Sequence, residues 1–105
     1  MLPRLYKLLL RKQPDFFRRA ARKHLEQYSI YSKPAQSFQL TVIVSKKVAR
    51  LATERNEIKR RYYSGIVSVL PQLVQKKQAV VLLVHRQGKQ ITRKMIAEKI
   101  VQNYI

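Results

Sequence analysis

Cysteine and tryptophan are absent from this chain of 105 residues, and only two glycines and four prolines occur in it. Without cysteine, the chain cannot form a disulfide, a thiolate nucleophile or a zinc site with cysteine ligands. With Gly65 and Gly88 as its only glycines, it has no glycine-rich phosphate loop. The lack of cysteine suits a reducing compartment, and we expect a cytoplasmic protein.

Acidic residues are also scarce: 5 Asp and Glu stand against 23 Lys and Arg, which gives a net charge of +18. The histidines His24 and His85 lie far apart in the sequence, and neither has an obvious carboxylate partner. Paired or metal-ligand spacing is likewise missing from the five carboxylates, Asp15, Glu26, Glu54, Glu57 and Glu98. We therefore predict no catalytic residues, no metal site and no cofactor in the protein itself.

Long hydrophobic runs are missing near the N-terminus, although that segment, MLPRLYKLLLRK, is basic and rich in leucine. Its longest apolar run, residues 8–10, is far shorter than a signal-peptide core or a membrane span. The spacing over residues 2–10 predicts a helix that belongs to the mature fold. A mitochondrial presequence is the alternative, because such segments are also rich in Arg and poor in acid.

What the chain does contain is enough apolar residue, 46%, for a folded protein, and its length fits one domain over residues 1–105. A compact domain with so much charge of one sign favours polyanionic partners. Nucleic acid is the first candidate and an anionic membrane surface the second. Because basic residues are spread over every predicted helix, a single lipid-facing side is disfavoured.

The hydrophobic periodicity predicts the element order α, β, β, α, β, α. Asp15 can cap a helix over residues 16–27, and the alternating segments 28–32 and 38–45 predict an antiparallel hairpin. Helical spacing runs from about Leu51 to Pro71, residues 79–84 suit a strand buried on both faces, and residues 92–105 form a last helix. The predicted class is α+β, a small mixed sheet with helices mainly on one side.

Seven Lys and Arg and two Glu occur in the segment VSKKVARLATERNEIKRR, residues 44–61, where a strand gives way to a helix. Lys46 and Lys47 end the strand, and the helical projection places Arg55 on the apolar side, in a first turn that overhangs the sheet edge. Strand end and helix start then converge on one basic surface, where free backbone N–H groups add anion affinity. Charge runs are more often solvated faces, but those usually mix signs.

The motif VSKKV followed by RNEIKRR resembles the signature of the protein subunit of bacterial ribonuclease P, in which V-S-K-K leads into a helix opening with R-N-R-I-K-R. An N-terminal DF helix, a strand pair, an apolar strand ending near Arg86 and a terminal helix extend the resemblance over nearly the whole chain. It implies a left-handed strand–helix–strand crossover, an exception to the usual right-handed rule. Glu57 departs from the pattern, since Arg is usual there.

In that family the catalytic subunit is RNA, and the protein binds it through the basic helix while contacting the 5′ leader of precursor tRNA. The resemblance thus implies an endoribonuclease holoenzyme for tRNA processing, with Mg²⁺ held by the partner RNA and no membrane or further protein partner required. The residues that match the RNA-binding signature are Lys46, Lys47, Arg55, Asn56, Lys59, Arg60 and Arg61. Those that match the leader-binding aromatics are Phe16, Phe17 and Tyr31.

A ribosomal or other structured-RNA-binding protein without nuclease association would share this size and charge. The RNA retained by the protein in cells separates the two hypotheses, because a ribosomal protein would retain ribosomal RNA rather than a catalytic RNA.

Overall fold

A computed structural model of the chain describes residues 6–8 and 15–104, which form a four-stranded sheet and four helices. Two short 3₁₀ turns, Val74–Lys76 and Arg86–Gly88, flank the last strand. In chain order the elements are α1 (Phe16–Arg19), β1 (Ala21–His24), β2 (Tyr28–Pro34), β3 (Gln39–Ile43), α2 (Ala52–Val67), α3 (Leu70–Leu73), β4 (Gln78–Val84) and α4 (Arg93–Asn103).

The strand order in the sheet is β1-β2-β4-β3, so the last strand of the chain lies in the interior of the sheet. β1 pairs with β2, and β2 with β4, in antiparallel fashion, whereas β3 and β4 are parallel. Lys7 forms a parallel bridge with Leu40, and the amide of Leu8 donates to the Leu40 carbonyl at 3.1 Å. The α+β class and the mixed sheet are therefore confirmed, while the predicted left-handed sense of the β3–α2–β4 crossover stays a prediction.

The two faces of the sheet differ in what covers them. On the helix-covered face, strand residues such as Leu40, Val42 and Leu82 pack in one buried cluster with Ile58 of α2 and Ile96 of α4. The opposite, open face carries α1 and a smaller cluster whose buried members are Leu8, Phe16, Ala79 and Val81. The helices thus lie mainly on one side, and β4 is buried on both faces, as its continuous apolar run predicts.

The predicted helix over residues 16–27 is wrong beyond Arg19, because Ala21–His24 is an edge strand. Its four side chains are all exposed, so the strand has no apolar alternation, and good helix formers hide it in the sequence. The helix predicted over residues 2–10 lies mostly outside the described residues. In the described part, Lys7 bridges to the sheet rather than continuing a helix.

The predicted pairing of the second and third strands is also wrong, because β4 lies between β2 and β3. The basic helix is confirmed as α2, which ends at Val67, and Pro71 falls in the first turn of the separate helix α3. The terminal helix is confirmed over Arg93–Asn103, with the Thr92 hydroxyl accepting from the Met95 amide at 3.2 Å.

Gly88 fixes the contact between the loop after β4 and the helix-covered core. The Tyr62 hydroxyl donates to the Gly88 carbonyl at 2.6 Å. A Cβ at Gly88 would collide with the Gln27 carbonyl and with that same hydroxyl, so only glycine fits. Within residues 6–8 and 15–104, no helix is both long and apolar enough to span a bilayer.

Candidate RNA interface

The turn between β3 and α2 is held by Arg55. Its Nη1 donates to the carbonyls of Ala49 at 3.0 Å and Arg50 at 2.7 Å. These bonds satisfy loop carbonyls and fix the angle at which α2 leaves the sheet. The structure confirms that Arg55 sits at the start of the helix, where it is half-buried.

The exposed residues Lys46 and Lys47 lie in the turn that follows β3. From the loop after β4, the Arg86 Nε donates to the Lys47 carbonyl at 3.2 Å. Because β3 and β4 are parallel, their carboxyl ends lie at the same end of the sheet. Three cationic residues from two loops therefore lie close together beyond the carboxyl ends of these strands.

On α2, an open cleft of about 290 Å³ is lined by Asn56, Lys59, Arg60 and Tyr63. The Tyr63 hydroxyl accepts a hydrogen bond from the amide of Val42 at 3.1 Å. That amide belongs to β3, the strand at the sheet edge, so the tyrosine fastens the helix to the strand beside the cleft. The cations on its rim are thus carried by a rigid element. Tyr63 was missed by the sequence reasoning, because only the tertiary fold brings it to the strand.

Most cations of this surface have no carboxylate partner. Among the described residues, the one ion pair joins Lys89 to Glu54 at 2.9 Å. Within the same residues Glu57 forms no ion pair with Arg60 or Arg61, and Arg61 donates to the Lys89 carbonyl at 2.6 Å. The seven residues Lys46, Lys47, Arg55, Asn56, Lys59, Arg60 and Arg61 are called the basic patch below.

The open face presents the three aromatic residues predicted to bind the leader as one connected cluster. The rings of Phe16 and Phe17 meet edge to face with centroids 5.5 Å apart, and those of Phe17 and Tyr31 do so at 5.0 Å. Phe17 is 49% exposed and Phe16 only 1%. Phe17 and half-buried Tyr31 therefore offer surface to a ligand, while Phe16 supports them from below.

Two cations stand over these rings. The Arg22 guanidinium carbon lies 5.9 Å from the Tyr31 centroid, and the Lys33 Nζ lies 5.4 Å from that of Phe16. Arg22 is the register partner of Tyr31 across β1 and β2. The sequence does not reveal this contact, because its pattern predicts a helix for the segment and a helix has no cross-strand neighbour.

The histidines, far apart in the sequence, are brought together beside this cluster. The His24 and His85 ring centroids are 4.8 Å apart. The hydroxyl of Ser29, which is fully buried, lies 3.0 Å from His24 Nδ1 and 2.9 Å from His85 Nε2. No local signal could have revealed this pair, because β1 and β4 meet only through β2.

Comparison with known proteins gives a consistent result. The family model described as Ribonuclease P matches residues 2–104. A Staphylococcus aureus RNase P protein is similar in structure, with a TM-score of 0.75, 18% identity, and coverage of 92% of this chain and 90% of that one. The RNase P protein from Thermotoga maritima gives 0.76, 18%, 91% and 92% for the same quantities. No curated protein sequence matches the chain.

Proposed function

The chain belongs to the ribonuclease P protein family, and we propose that, as the protein component of that ribonucleoprotein, it binds the catalytic RNA through the basic patch and the 5′ leader of precursor tRNA across the open face. The observation that carries the proposal is the division of the surface into a cationic helix edge and an aromatic sheet face. The first suits a folded RNA backbone, and the second suits unpaired bases.

The basic patch supports binding of structured RNA by its charge and its rigidity. Lys59 and Arg60 line one cleft with Asn56, and Arg55 and Tyr63 anchor the helix that carries them. Cations on a fixed helix can match the spacing of phosphates without a large loss of side-chain freedom, and each contact releases condensed counterions. Because the helix begins beside Lys46 and Lys47, its amino-terminal N–H groups add to the attraction.

The open face supports binding of a single strand by stacking. Phe17 and Tyr31 form a partly exposed platform, and Arg22 places a cation beside the Tyr31 ring. Stacking on such a platform contributes about 1–3 kcal/mol per base and tolerates any sequence. A protein that serves many precursor tRNAs needs that tolerance, because their leaders differ.

The hydrolysis itself we assign to the partner RNA and its Mg²⁺, because the resembled family supplies no catalytic side chain from its protein. The holoenzyme is then a metal-dependent endoribonuclease that removes the leader in tRNA processing. This chain contributes binding and positioning of RNA rather than a nucleophile or a general base.

Reconstitution tests the proposal. The purified chain, a bacterial ribonuclease P RNA and a precursor tRNA are mixed at limiting Mg²⁺, and the released 5′ leader is measured. We expect the chain alone to release none and to accelerate cleavage by the RNA. Cleavage without the RNA, or no acceleration with it, would overturn the proposal.

A Lys59→Ala/Arg60→Ala variant provides the control for that experiment. It should lose the acceleration at moderate salt while it keeps its melting temperature. Recovery of ribosomal RNA with the tagged chain from cells would favour a ribosomal role instead.

A further inference from the structure

The pair of histidines on the open face has no role in leader stacking by Phe17 and Tyr31. His24 is exposed and His85 half-buried, and both contact the buried Ser29 hydroxyl. The Arg22 Nη2 also approaches His24 Nδ1 at 3.1 Å. A connected row of rings and cations therefore runs from Phe17 over Tyr31 and Arg22 to the two imidazoles.

The direction of each hydrogen bond follows from what the groups can donate. A guanidinium only donates, so His24 Nδ1 must be an acceptor without a proton. We assign the Ser29 proton to the same nitrogen, whose single lone pair Arg22 and Ser29 then share, and the hydroxyl accepts from His85, whose Nε2 carries a proton in this tautomer. This arrangement satisfies the buried hydroxyl.

The arrangement treats the two imidazoles differently. A proton added to His24 at Nδ1 would break its bonds with Arg22 and Ser29. A proton added to His85 at Nδ1 breaks neither, because that nitrogen has no hydrogen-bond partner among the described residues. Only His85 can become an imidazolium without loss of the network.

The charged groups around the pair are almost all positive. β1 contributes Arg22, the loop after β4 contributes Arg86, and β2 contributes the neutral Ser29 and Tyr31. Glu26, in the turn between β1 and β2, forms no ion pair with either imidazole. A bound phosphate would place a negative charge among these cations and beside the imidazoles.

We propose that Arg22, His24 and His85 form a separate subsite for one nucleotide of single-stranded RNA, in which the exposed His24 ring extends the stacking row, Arg22 and His85 hold the phosphate, and His85 takes up a proton on binding. The proposal rests on the proposed function, since it continues the path of the leader beyond Tyr31. A single strand that leaves the subsite next meets Arg86, whose bond to the Lys47 carbonyl leads to the basic patch.

The test measures the affinity of the full chain for a fluorescent oligouridylate at pH 7.5 and pH 5.5 and constant ionic strength. Uracil and the phosphodiester do not titrate in that range, so a change in affinity reports the protein. We expect tighter binding at pH 5.5, by several-fold and by at most about tenfold per pH unit, because one proton is taken up. His85→Gln should abolish this gain, with His85→Asn as the second variant if the first melts early.

Tyr31→Ala is the matched control, since it removes stacking but no titrating imidazole. It should weaken binding equally at both pH values and so keep their ratio. If the ratio of affinities at pH 5.5 and pH 7.5 is unchanged in the folded His85 variant, the subsite is overturned. If His85 substitution removes the pH effect but Tyr31→Ala binds as tightly as the original chain, leader stacking fails and the subsite stands. If neither the His85 variant nor Tyr31→Ala changes binding, both proposals fail.

Nuclear magnetic resonance provides an independent readout. The chain has only two histidines, so its imidazole C–H signals come from this pair alone. Addition of oligouridylate at pH 7.0 should move one of the two signals toward the imidazolium position and leave the other less affected. Two signals that do not respond to saturating RNA would contradict proton uptake.

Discussion

The two faces of the sheet are formed by the same strands but differ in how far their side chains are buried. On the helix-covered face, neighbouring side chains of β2, β3 and β4 are sealed under α2 and α4. On the open face, short α1 covers only part of the strands, and aromatic, imidazole and cationic groups remain accessible. Side chains on the first face therefore act on the stability of the fold, whereas exposed side chains on the second, such as Phe17 and His24, are available to a ligand.

The largest expected difference between the faces comes from Leu82→Ala compared with Tyr31→Ala. Leu82 is completely buried on the helix-covered face, so its truncation should cost about 2–5 kcal/mol of unfolding free energy. Tyr31→Ala should cost under about 2 kcal/mol but lower the preference for precursor over mature tRNA by about 1–3 kcal/mol. Urea titrations and paired binding assays measure both. An unchanged precursor preference in a destabilised Tyr31→Ala protein would assign Tyr31 to the core.

Arg55→Ala and Arg60→Ala sharpen the comparison within the basic patch. Arg55 donates to two loop carbonyls, so its loss should cost about 1–3 kcal/mol of stability. Exposed Arg60 should change stability by less than about 0.5 kcal/mol and flatten the slope of log K against log salt for catalytic RNA by about 0.7–0.9. Thermal melts and salt titrations distinguish the two. Equal melting temperatures would mean that the Arg55 bonds do not hold the turn.

Tyr28→Phe and Tyr62→Phe test whether the buried tyrosine hydroxyls of the helix-covered face have hydrogen-bond partners. The Tyr28 hydroxyl is buried and has no partner among the described residues, so its removal should be neutral or stabilising by about 1 kcal/mol. Tyr62→Phe loses the bond to the Gly88 carbonyl and should cost about 1 kcal/mol. Denaturant unfolding of the two variants at pH 7 decides, and a loss of stability in Tyr28→Phe would reveal a partner for its hydroxyl.

Tyr28 also limits the stability of the fold at alkaline pH. Burial raises the pKa of Tyr28 from 10.0 to about 12. Since the folded value is the higher one, the associated stability is complete below pH 10 and is lost as the pH rises toward 12. Unfolding curves between pH 9 and 12 should therefore decline less steeply for Tyr28→Phe than for the original chain.

Glu57→Arg has a small expected effect on the fold and introduces the Arg that the resembled signature has at this position. Glu57 is exposed and forms no ion pair within the described part of the chain, so stability should change by less than about 1 kcal/mol. Loss of the carboxylate next to Asn56 in the basic patch should tighten binding of the catalytic RNA and steepen its salt dependence. Weaker binding by a well-folded variant would show that α2 presents another face to RNA.

Sequence periodicity predicted those elements that bury an apolar stripe. The alternation of Phe38, Leu40 and Val42 and the run over residues 79–84 identified β3 and β4, and helical spacing identified α2. It could not identify β1, whose exposed polar side chains leave no pattern. Partner choice was equally hidden, because alternation tells which side of a strand is buried and not which strand lies beside it.

The candidate site was predictable in part for the same reason. The motif and the helical projection placed Arg55 at the start of α2, where the structure has it half-buried and bonded to the loop before the helix. Arg22 and the imidazole pair depend on the register of β1 against β2, which is a tertiary property. Their assembly could therefore be found only from the fold.

The position of β4 inside the sheet has a consequence for folding during translation. β2 and β3 share no ladder, and both pair with residues 78–84, so a nascent chain that ends at α2 contains the cations of the basic patch but not the complete sheet. Such long-range pairing is slow, since the entropy of closing a large loop is lost before the strand contacts can form. Most of the chain must therefore be translated before α2 can pack on the complete sheet. The cationic segment is synthesised first and becomes a rigid surface only later.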